Sequence, residues 1–233
     1  MNSQKIVFSK KIIEKDYESI FSKVLEKFPE FNTICIFVKK IPFYGIQHTL
    51  RSYAPLLSLA NPKRRRVYPI VINSNSYTPV FFEDLTEEEK IGAMAHEFGH
   101  TLEYTRLSSI KIVRLTLLFF ISGKFVKNFE KRADMIAIER GFANELLAFK
   151  KRVFKEKNIK LSGYRSFMYM GPEEVQKFLN NEEDLGTKES SSYKRIVWYS
   201  LFHNLRSFYT FFPSIWQMVI LIYFRKVHKT GHF

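Results

Sequence analysis

Cysteine is almost missing from this chain: Cys35 stands alone among 233 residues. A single thiol excludes a disulfide framework and any metal site built from several cysteines. Its apolar surroundings (TICIFV, residues 33–38) predict a buried small hydrophobe. Glycine and proline are also sparse, at 9 and 8 residues, which excludes collagen-like and low-complexity character. Acidic residues are outnumbered, 23 against 37 Lys and Arg, giving a formal charge of +14. That balance favours anionic partners, either nucleic acid or acidic lipid surfaces. The opening residues (MNSQKIVFSKKIIEKDY) contain no apolar run of signal-peptide length, so we expect a cytoplasmic protein. What is plentiful is apolar surface, 45% hydrophobic and 16% aromatic residues. The length suits one domain with a real core, or a domain plus an appendage, and is too short for two large domains.

Residues 12–28 carry apolar side chains at spacings of three and four, which predicts an amphipathic helix ended by Pro29. Short β-branched runs predict strands at residues 33–38, 48–54 and 67–73. Pro69 inside the last of these argues for an edge strand, because proline cannot donate to a ladder. Thr86 and Glu89 form a capping box that opens a helix through Ile91, Met94, Ala95, Phe98 and Leu102. Further helices are predicted at 129–140, stopped by Gly141, at 144–155, and after Gly171 with Pro172 at its first position. Residues 181–192 are polar and read as a linker.

Within the capped helix, residues 96–100 read His-Glu-Phe-Gly-His. Positions four apart share a helical face, so His96 and His100 can hold one metal ion through their imidazoles. Glu97 can then reach a metal-bound water as general base, since zinc lowers the pKa of such a water towards neutrality. The alternative for these residues is a pair of surface histidines on an amphipathic helix. A catalytic site needs a third protein ligand, and Glu130 and Asp134 lie four apart on another predicted helix. Glu130 fits as that ligand with Asp134 orienting a ligating histidine; the roles could be exchanged, or the pair could belong to a solvated helix face.

The residues Ala95-His96-Glu97-Phe98-Gly99-His100-Thr101, followed by Glu130-Lys131-Arg132-Ala133-Asp134, resemble the gluzincin metallopeptidases. Within them the chain is most similar to the branch of the CAAX prenyl proteases and the HtpX-type membrane stress proteases, in a small soluble or peripheral form. The resemblance is confined to about residues 67–149. It implies His96, His100 and Glu130 as ligands of one Zn2+, Glu97 as general base and Asp134 as a supporting residue. It further implies hydrolysis of peptide bonds in a peptide or protein substrate, and an α+β fold. In that fold a small mixed sheet has an edge strand packed on the zinc-binding active-site helices, and residues 67–73 are the matching segment. The family's oxyanion-stabilising residue is not identified by spacing; Tyr164, Arg165, Tyr169 and His203 are the candidates.

Residues 1–180 are thus expected to form the catalytic domain and residues 193–233 a basic, aromatic C-terminal helical segment. Within that segment residues 208–224 are uncharged and sit at the lower limit of a spanning helix, so the segment lies on a membrane surface, docks on the domain or spans a bilayer. The apolar stretch 110–126, with basic residues through it, suits an anionic leaflet too. Two other functions fit the same residues. One is a non-catalytic zinc-fold scaffold at a membrane surface, which intact Glu97 argues against. The other is a nucleic-acid-binding protein using Lys63-Arg64-Arg65-Arg66, although no RNP, KH or zinc-finger pattern accompanies that loop.

Overall fold

Local signals set the order of elements in the computed structural model, which describes residues 11–13, 15–42, 49–75, 78–155 and 169–180. β1 is Lys11–Ile13, followed by a 3-10 turn at Lys15–Tyr17 and α1 at Glu18–Leu25. The single helix expected over 12–28 is therefore shorter: its first residues are extended, and Pro29 opens a separate 3-10 turn, Pro29–Thr33. β2 (Cys35–Ile41), β3 (Leu50–Ser52) and β4 (Val67–Asn73) complete the strands. Five more helices follow among the described residues: α2 (Glu87–Arg106), α3 (Ser109–Ile121), α4 (Gly123–Glu139), α5 (Ala143–Lys155) and α6 (Pro172–Asn180). The class is α+β. The predicted linker and C-terminal segment, and the candidates Tyr164, Arg165 and His203, lie outside the described residues.

The sheet is mixed, with order β1-β2-β4-β3. β1 and β4 run parallel to β2, and β3 runs antiparallel to β4. This corrects the expectation for residues 67–73: β4 is interior, and the edge beside it is β3. Pro69 is tolerated there because its carbonyl accepts from Tyr53 N–H (2.9 Å) at the end of the β3 pairing. A strand residue directs its N and O to the same side, so the missing N–H falls towards β3 and takes nothing from the β2 ladder. Cys35 is half-buried rather than buried. It starts β2 opposite Val67, itself exposed, where the paired strands leave the core.

α2 is the central element. Thr86 Oγ1 accepts from Glu89 N–H (3.2 Å) and Glu89 Oε2 accepts from Thr86 N–H (2.8 Å), so the predicted capping box forms. Twelve of its residues are buried, including every one from Gly92 to Leu102, so its middle turns are packed on all sides. Phe98 points into an aromatic cluster with Phe21, Phe28 and Phe31, at ring separations of 5.2–5.3 Å. Two glycines allow neighbouring helices to close on it. A Cβ at Gly99 would sit 2.6 Å from Ala133 O on α4, and one at Gly92 would sit 2.1 Å from Glu145 O on α5. Gly99 and Ala133 together bring the His96–His100 turn of α2 against the Glu130–Asp134 turn of α4. Gly141, at φ 85°, ends α4 in the left-handed conformation that glycine adopts without strain.

The basic loop is not simply solvated. Arg66 is buried; its Nη1 donates to Leu107 O (3.1 Å) and its Nη2 to Ser109 Oγ (2.7 Å), while Lys63 Nζ donates to Arg106 O (3.2 Å). These cations neutralise carbonyls at the C-terminal end of α2, where the helix dipole favours positive charge. No helix among the described residues is long and apolar enough to cross a membrane.

Candidate metal centre

His96 and His100 are both buried, which removes the reading of them as surface histidines. Their Nε2 atoms lie 3.1 Å apart, and Glu130 Oε2 lies 3.2 Å from the first and 3.1 Å from the second. Three donor atoms therefore form a nearly equilateral triangle. Tetrahedral coordination with bonds of about 2.0–2.1 Å spaces donors roughly 3.4 Å apart, so the triangle needs only slight opening to seat one ion. A proton can bridge one pair of these atoms but not all three; a cation can satisfy them together. Two imidazoles and one carboxylate suit a divalent first-row metal ion, and their ligand atoms lie close enough together to hold one.

The surrounding residues fix each donor. Asp134 is fully buried, and its Oδ1 lies 2.7 Å from His96 Nδ1. In the neutral ring Nδ1–H donates to Asp134, which turns the Nε2 lone pair towards His100 and Glu130. His100 is held differently. Its Nδ1 has no hydrogen-bond partner among the described residues, but its ring stacks on Phe129 at 4.7 Å and 14° and meets the His96 ring edge-on at 4.7 Å. Phe129 is the residue before Glu130, so one turn of α4 supplies both the carboxylate and the platform.

Lys150 was not singled out by the sequence, yet it is buried on α5 with Nζ donating to Asp134 Oδ2 (2.9 Å) and 2.8 Å from Oδ1. Met170 N–H donates to Oδ2 as well (3.3 Å). The signal was present: Ala143, Leu146, Leu147 and Lys150 share the buried stripe of α5, and a lysine on such a stripe calls for a buried carboxylate. A second unforeseen group is Ser52 N–H on β3, which donates to Glu97 Oε2 at 2.5 Å. Ser52 Oγ also pairs with Thr101 Oγ1 (2.8 Å), so the edge strand is fastened to α2 one turn beyond Glu97. Backbone donors leave no mark in a sequence. Of the oxyanion candidates, Tyr169 is described, with its ring 6.3 Å from that of His96.

Electrostatics follow from this packing. Burial opposes a charge on His96, but the Asp134 carboxylate, with hydrogen bonds donated by the imidazolium to Asp134 and Glu130, pushes its pKa up to about 10. Burial works against ionised Glu130 too, yet His100 and His96 hold it well below the usual carboxylate range. Asp134 is lowered against its burial by Lys150 and His96. Glu97 goes the other way: burial raises it, more than His100, His96 and Ser52 N–H lower it.

A pH dependence follows for the metal-free protein. The folded pKa of His96 exceeds its ordinary 6.5, so its contribution to stability is complete below pH 6.5 and is lost as pH rises towards about 10. Glu130 and Asp134 act in the opposite sense: their contribution is present above their ordinary values of 4.5 and 3.8 and is lost as pH falls through the lowered folded values. Binding a divalent ion must displace the His96 proton, so affinity should increase with pH across the neutral range, with proton release on binding. Titration calorimetry in buffers of different ionisation enthalpy measures that release; binding with no proton released would contradict the assignment.

Comparison of the chain with protein-family models, with curated proteins and with solved structures yields no match.

Proposed function

We propose that this chain is a zinc-dependent metallopeptidase of gluzincin type, with His96, His100 and Glu130 as the metal ligands and Glu97 as the general base. The observation that carries the reading is the convergence of His96 Nε2, His100 Nε2 and Glu130 Oε2 within 3.2 Å of one another, next to a buried carboxylate of raised pKa. When bound, zinc supplies a Lewis acid that polarises a carbonyl and makes a coordinated water acidic near neutral pH. Two nitrogens and one carboxylate would hold the ion with three protein ligands, the number that catalytic rather than structural sites supply.

Glu97 performs the proton transfers. Ser52 N–H holds Oε2, so Oε1 takes the proton from the attacking water and later delivers it to the leaving amine. Burial keeps the pKa of Glu97 above the ordinary carboxylate value, which favours both halves of that task. Asp134 keeps the His96 ring in the tautomer that presents Nε2.

The substrate lies along the outer edge of β3. Thr49 and Tyr53 direct their backbone groups to β4, so by alternation Leu50 and Ser52 direct theirs away from it. An extended peptide adds to that edge as a further strand and passes Glu97, because the Ser52 N–H on this edge already reaches it. Among the four oxyanion candidates we assign the role to Tyr169, because its ring lies 6.3 Å from that of His96.

The test is cleavage of a peptide library by the purified full chain. Cleavage should be abolished by a chelator and restored by one equivalent of zinc. Cleavage that persists after the metal has been removed, or its absence from zinc-loaded protein, would overturn the proposal.

A further inference from the structure

α3 joins the two helices that carry the metal donors, and it is apolar on opposite faces. Ile112 and Leu115 are buried against the domain. On the far side, Ile110 is 74% exposed, Val113 45% and Leu117 43%; spacings of three and four place them in one stripe. Beside the stripe stand the exposed Lys111 and Arg114, with Arg106 and Lys124 exposed beyond the helix ends. Between Glu103 and Glu130 there are five basic residues and no acid. A large aliphatic stripe of this kind, bordered by charge of one sign, is unusual on a surface that faces water alone.

We propose that the outer face of α3 docks on an anionic lipid bilayer, with Ile110, Val113 and Leu117 inserted among the acyl chains and Lys111 and Arg114 at the headgroups. Three arguments select this occupant. The helix has 13 residues and is about 20 Å long, whereas a hydrocarbon core is about 30 Å thick, so α3 lies on a membrane rather than crossing it. A second copy of the chain would set Lys111 and Arg114 against their own counterparts on a protein of charge +14. Residues 193–233 carry six Lys or Arg and no acid, and would bring like charge to a basic face. An acidic lipid surface is the partner whose charge is complementary. The proposal does not depend on the metallopeptidase reading, because none of these residues contributes to the metal centre.

The experiment is flotation of the full chain with phosphatidylcholine vesicles, with and without phosphatidylserine, at physiological salt. Two variants accompany it, Ile110→Ser/Val113→Ser/Leu117→Ser and Lys111→Glu/Arg114→Glu, each checked for an unchanged thermal midpoint and metal content. The wild type should float only with the anionic vesicles. The serine variant should partition roughly tenfold or more weakly, and the charge variant at least about twenty-five-fold more weakly, at about fivefold for each basic residue. Should one variant fail to fold, the other decides. Failure of the wild type to float would overturn the proposal. Flotation of the variants at wild-type strength would also overturn it and place membrane binding elsewhere in the chain. A concentration-dependent dimer that the serine variant disperses, with no vesicle binding, would assign the face to a second copy.

Discussion

Replacing Glu97 with Gln should leave the metal in place and lower peptide hydrolysis by about two to four orders of magnitude, the range a positioned general base contributes. The substitution is close to isosteric, and the ligand atoms belong to His96, His100 and Glu130, so metal content should not change. A glutamine oxygen can still accept from Ser52 N–H, which keeps β3 fastened to α2. What is lost is the ability to take a proton. Stability should be unchanged or slightly higher at neutral pH, because burial disfavours the charged form of Glu97 in the native protein. Metal analysis, thermal denaturation and cleavage kinetics on one preparation separate these effects. Metal-replete Glu97→Gln with wild-type turnover would reject Glu97 as the base.

Lys150→Met should destabilise the fold by about 3–5 kcal/mol, the effect of leaving one member of a buried ion pair uncompensated. Lys150 and Asp134 are both buried, and no solvent is available to take over from the ammonium. Asp134 would keep His96 Nδ1 and Met170 N–H but lose the Lys150 ammonium, its one cation besides the protonated imidazole among the described residues. Metal affinity should therefore fall by about 10–100-fold, as it does when the group that orients a ligating histidine is disturbed. A second variant shows whether the effect runs through the carboxylate. Asp134→Asn combined with Lys150→Met removes the unpaired charge, so it should recover part of the lost stability without recovering metal affinity. Urea denaturation and metal competition measure the two quantities. A Lys150→Met protein within about 1 kcal/mol of wild type would mean that the pair is not the buried unit described.

What the residues announced in advance were mostly features written over a few consecutive positions. The capping box at Thr86 and Glu89, the stop at Gly141 and Pro172 at the start of α6 all formed as their local chemistry requires. The His96–His100 spacing and the Glu130–Asp134 spacing placed four side chains on two helical faces. Their meeting depends on Gly99 and Ala133, small residues whose role becomes visible only when the helices cross. Sheet order was not legible, because it depends on pairing across distant segments. Pro69 points to an edge strand by the simple rule, and the rule that operates is finer: proline needs only one side of its strand to be undemanding, and the short β3 provides that. β1 was hidden inside a helical apolar pattern whose first residues pair with β2. Lys150 and Ser52 show two kinds of omission. The first was a charge on an apolar stripe that deserved a partner; the second was a backbone group that no side-chain pattern encodes.

The proposed chemistry requires one cation held by His96, His100 and Glu130, and elemental analysis of the full chain before and after a single substitution tests this most directly. Wild-type protein should contain about one zinc per chain after exhaustive dialysis, and Glu130→Ala, still folded, should lose most of it. A folded wild-type protein without bound metal that takes up none when zinc is supplied would contradict the account, as would Glu130→Ala retaining a full equivalent.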